Sequence, residues 1–200
     1  TDMDRVLGRG VGNALEIAET VAYLKGEGAR EPRLHEVTMA LAGEMLLLGG
    51  LAPSAAAGRA RAEAALEDGR AAERFARMVR GLGGPRDVLG SDGLPTAPVV
   101  RDIGAPRAGV LAALDTRAVG LAVVQLGAGR SRPGAAVDPR VGFSHLLPLG
   151  TRVQAQQPLA RVHAADEAAA LQAQATFLQA LTISESPVTP GPVMVEHVSD

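Results

Sequence analysis

The sequence predicts an α/β protein built in two parts, and three observations carry that expectation. Apolar residues recur at helical spacing from residue 11 to residue 84. A stretch rich in glycine, proline and aspartate interrupts the chain at 85–97. Short apolar runs beside turn residues follow it, as strands do. The expected organisation is a helical part over 1–84, a linker over 85–97 and a small α+β domain over 98–200.

In the first part, Val11, Ala14, Leu15, Ala18, Val21 and Ala22 make one apolar face, and Lys25-Gly26 closes that helix with a cation and a C-terminal glycine. Leu34, Val37, Leu41, Met45 and Leu48 repeat the pattern until Gly49-Gly50 stops it. Pro53-Ser54 opens a third helix that Asp68-Gly69 breaks. Ala72, Phe75, Val79 and Leu82 mark a fourth, ended by Gly83-Gly84-Pro85. Beyond the linker, Val99-Val100, Gly109-Val110-Leu111 and Val141-Gly142-Phe143 read as strands, and Val153, Leu159 and Val162 fall in two more. Thr116 to Leu126 reads as a helix with Thr116 as its N-cap, followed by a loop over 127–140. Asp166 caps a last helix whose face includes Leu171, Ala175, Leu178 and Leu181. The tail, with Pro187, Pro190 and Pro192, runs extended.

Composition narrows the function classes. With 46% hydrophobic and 21% charged residues in 200, a packed core is feasible. The net charge of −2, with basic and acidic residues interleaved, argues against a nucleic-acid binder, which needs a basic surface to displace phosphate counterions. There is no cysteine, which excludes disulfides, a CxxC redox site and thiolate metal sites. No apolar run approaches the roughly 18 residues that span a bilayer, and no signal peptide opens the sequence. A cytoplasmic protein is the simplest expectation. The chain starts at Thr1 in what reads as the middle of a segment, so it is expected to be part of a longer protein. The aromatics are Tyr23, Phe75, Phe143 and Phe177, too few for a stacking platform.

The opening motif is Asp2-Met3 followed by Leu7-Gly8-Arg9-Gly10-Val11-Gly12-Asn13-Ala14-Leu15-Glu16, a glycine-rich loop entering a helix. Such a loop presents N–H groups to an anion or simply permits a tight turn, and the spacing is compatible with both. His145 and His163 flank a hairpin-like stretch without a third ligand at metal spacing, so an ordinary structural or surface role is expected for them. His35 and His197 are isolated, and Ser144-His145 and Ser54 lack a nucleophile-elbow context. In the loop Gly129-Arg130-Ser131-Arg132-Pro133-Gly134, two arginines are placed either to reach an anion as a domain closes or to stand on a solvated surface.

The opening motif resembles the D-M-x-x-P-L-G-x-x-x-G-N-A-L-E segment of the pyrimidine-nucleoside (thymidine) phosphorylase family, with Val6 in place of the usual proline. Further matches follow in the same order: Leu24-Lys25-Gly26, Leu41-Ala42 with Glu44-Met45, Leu126-Gly127-Ala128-Gly129-Arg130, Asp138 with Val141-Gly142, and Pro158-Leu159-Ala160 with Val162-His163. The resemblance implies that 1–84 is the helical segment of a nucleoside-phosphorylase α/β domain, packing on a sheet whose strands come from elsewhere, and that 98–200 holds a hammerhead-like (barrel-sandwich) domain. It implies phosphorolysis of a pyrimidine nucleoside to the free base and a (deoxy)ribose 1-phosphate, with inorganic phosphate as co-substrate, no required organic cofactor, and a homodimer. The family's K-H-S-T-G-G-type phosphate loop and its Arg and Ser-x-x-x-Lys base-binding residues have no counterpart here, so no catalytic residue is assigned and the chain alone is expected to be inactive. The resemblance also implies a structural potassium ion held by the backbone carbonyls of Leu7 and Gly10 and the carboxylate of Glu19, oxygen ligands that suit a hard cation. Arg130 and Arg132 are the residues it implies for domain closure.

A reading of another class is a non-catalytic scaffold. The V-G…G-x-x-V…P-L pattern over Val141–Val162 is similar to biotinyl and lipoyl carrier domains, which carry a modified lysine on a hairpin. The one lysine of this chain is Lys25, in the helical part, so a carrier is excluded and only an assembly role would remain.

Overall fold

A computed structural model describes residues 1–90, 93–130 and 132–198. Helix and sheet are mixed, as the fold class predicts, and the chain divides into two compact units. One holds Ala18–Leu94 with Thr1 and the tail from Val193, and the other holds Asp2–Ile17 with Pro95–Pro192. This differs from the expected 1–84 and 98–200, because the opening segment belongs with the strands rather than with the helices. Ser91 and Asp92 of the expected linker lie outside the described residues.

The helical unit contains most of α1 (Asn13–Lys25), α2 (Pro32–Leu48), α3 (Ala55–Glu67) and α4 (Arg70–Gly81). Ser54 caps α3, its side chain accepting from the Ala57 N–H at 3.1 Å. The α2 and α3 helices meet at two glycines: a Cβ on Gly58 would sit 2.4 Å from the Gly43 carbonyl oxygen. Arg59 of α3 then clasps Glu36 of α2 through two bonds of 2.8 Å and Glu63 through a third of 2.9 Å. The core here is small, namely Tyr23, Met39 and Leu66 with Leu24, Leu34, Ala62 and Ala71 against them. The face predicted for α2 is only partly buried. Val37 is covered, whereas Leu41, Met45 and Leu48 are 53%, 72% and 85% exposed.

The second unit holds two three-stranded antiparallel sheets. The strands are β1 (Val99–Gly104), β2 (Gly109–Leu114), β3 (Gly142–Ser144), β4 (Arg152–Val153), β5 (Pro158–Ala164) and β6 (Leu181–Ser184). Their orders are β1-β5-β3 and β4-β2-β6. One core draws on all six: Ile103, Leu111, Phe143, Val153, Leu159, Val162 and Ile183. Two helices complete it, α5 (Thr116–Val123) and α6 (Glu167–Ala180). Phe177 of α6 packs on Phe143 with ring centroids 5.4 Å apart.

Several local expectations are corrected. Asp115, not Thr116, caps α5, its carboxylate accepting from the Ala118 N–H at 2.9 Å, while the Thr116 hydroxyl donates to the Met3 carbonyl. The helical path runs through Leu126, as expected, but is not α-helical throughout. Its last part, from Val124, is a π-turn over Val124–Ala128, and the non-helical residue is Gly127, with a left-handed φ of 105°. In α6 the buried face is Ala170, Ala173 and Phe177, with Leu171 52% exposed, and Leu181 already begins β6, a strand the sequence pattern did not mark. Small side chains let α6 sit close to the sheet, so alanine rather than leucine marks its inner face.

Val11 is not helical. It exchanges backbone hydrogen bonds of 2.8 Å with Phe143 in both directions, extending the β5–β3 edge by one bridge. The crossing requires glycine on both sides. A Cβ on Gly12 would lie 2.5 Å from the Val141 carbonyl oxygen, and one on Gly142 2.1 Å from the Val11 carbonyl oxygen. Their φ values of 140° and 146° add backbone strain for any other residue. Gly142→Ala is therefore expected to destabilise the chain by about 2 kcal/mol or more. Gly120→Ala, in α5 with open space around its Cβ, is expected to stabilise it by about 0.5–1 kcal/mol. Chemical denaturation of the two variants checks both signs, and equal stability of Gly142→Ala and the parent chain would remove the steric account.

Candidate functional site

The opening motif and the arginine loop, far apart in sequence, meet in the second unit. The Val11 N–H is spent on Phe143, the Gly12 N–H on the Glu16 carboxylate at 3.0 Å, and the Ala14 N–H on the Pro139 carbonyl at 2.9 Å. Of the two readings of these glycines, the tight turn is the one the geometry fits: three of the N–H groups that would cradle an anion already have partners. The Asn13 carboxamide donates to the Ala128 carbonyl at 2.9 Å. Across the loop base, the Asp138 N–H donates to the Gly127 carbonyl at 2.8 Å.

Asp138 is then locked by Arg140, whose Nε and Nη2 donate to its two oxygens at 2.8 and 2.7 Å and whose backbone N–H adds a third bond of 3.0 Å. The Arg140 guanidinium holds the Asp138 carboxyl below its usual range, and the arginine is pushed up in turn. Arg130 and Arg132 stand exposed at the tip, and Ser131 between them lies outside the described residues. Asn13 stands in the opening motif, but nothing in the sequence gives it or Arg140 this role, apart from the Asp-Pro-Arg triplet at 138–140, the available signal for a side-chain-locked turn.

The residues implied for a cation are Leu7, Gly10 and Glu19. Leu7 is 48% exposed and Gly10 half-buried, both in the opening segment, and Glu19 is half-buried in α1. Leu7 and Gly10 group with the strand unit and Glu19 with the helical unit.

The histidines are less isolated than the sequence implied. The Ser144 hydroxyl lies 2.9 Å from His145 Nδ1 and 2.8 Å from His163 Nε2. One hydroxyl carries one proton, so at least one imidazole donates an N–H to it. Among the described residues, no group of three or more His, Asp or Glu side chains is placed to hold a metal ion. His35 bonds the Tyr23 hydroxyl at 2.9 Å, and His197 lies 3.3 Å from Glu44. In the helical unit a cleft of about 400 Å³ is lined by Arg30, His35, Glu63 and Glu67.

Burial pushes the His163 imidazole down, and the neighbouring Arg161 and His145 add to that. A depressed pKa means that the folded chain takes up this proton later than the unfolded chain. Stability is unaffected well above the unfolded value near 6.5, and it is lost as pH falls through 6.5 toward the lower folded value. His163→Asn should flatten the fall in Tm between pH 7.5 and 5.5. An unchanged pH slope in that variant would show that other groups set it.

The comparisons with known proteins divide the chain as the geometry does not. Residues 1–72 match the family model described as "Glycosyl transferase family, a/b domain", and residues 110–184 match "Pyrimidine nucleoside phosphorylase C-terminal domain". A protein named thymidine phosphorylase from Burkholderia cenocepacia (strain HI2424) is 46% identical over 200 residues, 99% of this chain and 45% of the relative. One of the same name from Burkholderia orbicola (strain MC0-3) is 50% identical over 175 residues, 86% of this chain and 40% of the relative. The chain thus spans about half the length of the curated relatives it matches. With both family models in order along it and this identity across nearly its full length, the chain belongs to the thymidine phosphorylase family.

Proposed function

We propose that this chain is the C-terminal portion of an enzyme that phosphorolyses thymidine or a related pyrimidine nucleoside. Inorganic phosphate attacks the anomeric carbon, the bond from that carbon to the base nitrogen breaks, and the base leaves with the bonding electrons. A proton then completes the free base, and the sugar departs as a pentose 1-phosphate. The observation that carries the proposal is the 46% identity to a thymidine phosphorylase across 99% of the chain.

On this reading the groups that bind phosphate and base lie in the part of the enzyme that this chain lacks, so the chain alone is inactive. What it contributes is a body for the cleft and the Arg130–Arg132 loop that closes it. The exposed apolar residues Leu41, Met45 and Leu48 of α2 support a packing surface, the kind of face that covers a sheet supplied by the rest of the enzyme. The two small antiparallel sheets around one core support a hammerhead-like sandwich for the second unit. The substrates are small molecules, and the working form we propose is a cytoplasmic homodimer. A structural potassium ion belongs to the same proposal. Its ligands would be the Leu7 and Gly10 carbonyls and the Glu19 carboxylate, assigned by sequence correspondence. None of the described helices is long and apolar enough to cross a membrane.

The test is release of thymine from thymidine by the full-length protein, followed with and without phosphate. Phosphate-dependent release by the full-length protein and none by this chain is the expected result. Release by this chain alone, or none by the full-length protein, overturns the proposal. In the full-length protein, Arg130→Ala with Arg132→Ala should lower kcat about ten-fold or more while stability changes by about 0.5 kcal/mol or less, as for most surface substitutions. Equal loss of Tm and activity would make these arginines structural.

A further inference from the structure

We infer that Asn13 is a positioning residue for the Arg130–Arg132 loop. Three hydrogen bonds fix the ends of that loop. Asn13 Nδ2 donates to the Ala128 carbonyl at 2.9 Å on the incoming side. The Ala14 N–H donates to the Pro139 carbonyl at 2.9 Å on the outgoing side. The Asp138 N–H donates to the Gly127 carbonyl at 2.8 Å and joins the two sides. Both ends of the loop are therefore tied to two consecutive residues in the first turn of α1.

The first turn of α1 is a firm support, because the Gly12–Gly142 crossing holds the residue before it against β3. Asn13 is also not spent on its own helix. Glu16 reaches back to the Gly12 N–H, so the carboxamide is left to point outward to Ala128. Of the three ties, this is the one made by a side chain, and so the one a substitution removes cleanly. Asn13 is exposed, and its loss removes no core contact. Its effect is local to the loop.

That the positioned loop serves turnover rests on the phosphorylase reading; that Asn13 holds it does not. The two are separated by two measurements. The first is limited trypsin digestion of the 200-residue chain, with peptides quantified by mass spectrometry. Trypsin cuts after Arg130 but scarcely after Arg132, which Pro133 protects. Asn13→Ala, and Asn13→Asp, which keeps the shape but cannot donate, should each speed the Arg130 cut about five-fold, as loss of one ordinary hydrogen bond shifts a local opening equilibrium. Cuts after Arg101 and Arg152, and the Tm, should stay as they are. If Asn13→Ala unfolds and every cut accelerates, the near-isosteric Asn13→Asp decides. An unchanged Arg130 cut in Asn13→Asp overturns the inference. The second measurement is thymidine phosphorolysis by the full-length protein. Asn13→Asp should lower kcat several-fold with KM for thymidine nearly unchanged. A loosened loop with full kcat overturns the positioning role. An inactive full-length wild type overturns the proposed function alone, and the digestion result then decides the clamp by itself.

Discussion

The second unit depends on one close approach: the backbones of Gly12 and Gly142 pass with no room for a side chain on either. The contact lets Val11 pair with Phe143 and brings the opening segment into the strand unit. Without it, α1 would begin from a free end. With it, the first turn of α1 has a fixed position from which Asn13 and Ala14 can reach Ala128 and Pro139. Two residues chosen for the lack of a Cβ thus decide where a loop more than a hundred residues downstream is held.

The two units solve the shortage of aromatics differently. The strand unit concentrates two of the four, Phe143 and Phe177, at the centre of a core that takes apolar residues from every strand. The helical unit has no such centre. Its helices are drawn together by the Gly43–Gly58 contact and by the Arg59 clasp on Glu36 and Glu63, while long apolar side chains of α2 remain in solvent. A partly exposed ion-pair network of this kind fixes register more than it adds stability. The stability of the helical unit is therefore the one more dependent on whatever covers Leu41, Met45 and Leu48.

How much of this could be read from the sequence follows from what the residues encode locally. Helices α1 to α4 and their glycine stops were legible, because a period of 3.6 and a missing Cβ are properties of neighbouring residues. The start of α1 was not. Val11 fits the helical face by spacing, and only its partner in space, Phe143, makes it a strand residue. The inner face of α6 was misread for a related reason. Its leucines are easy to notice, but close packing on the sheet favours Ala170 and Ala173. At the candidate site, the arginine tip was visible as a glycine- and arginine-bearing loop. Two of the three ties that hold it, Asn13 to Ala128 and Ala14 to Pro139, join residues more than a hundred positions apart, and no local pattern announces such a pair. The Ser144 hydroxyl between two imidazoles was hidden likewise, since β3 and β5 must pair before His163 comes near.

The charges of the loop sort themselves by the same geometry. At the base, Asp138 and Arg140 neutralise each other through a two-pronged contact, and the aspartate is held ionised by it. The pair is partly exposed, so it contributes little to global stability, and its use is to shape the turn that returns the chain to Val141. The tip keeps Arg130 and Arg132, both exposed, without a carboxylate in the neighbouring sequence from 129 to 137 to cancel them. The loop is thus neutral at its base and cationic at its exposed arginines. The three ties that fix the ends of the loop are themselves made by uncharged groups, a carboxamide and backbone amides. Such ties depend little on salt, which screens charge–charge contacts more than neutral hydrogen bonds.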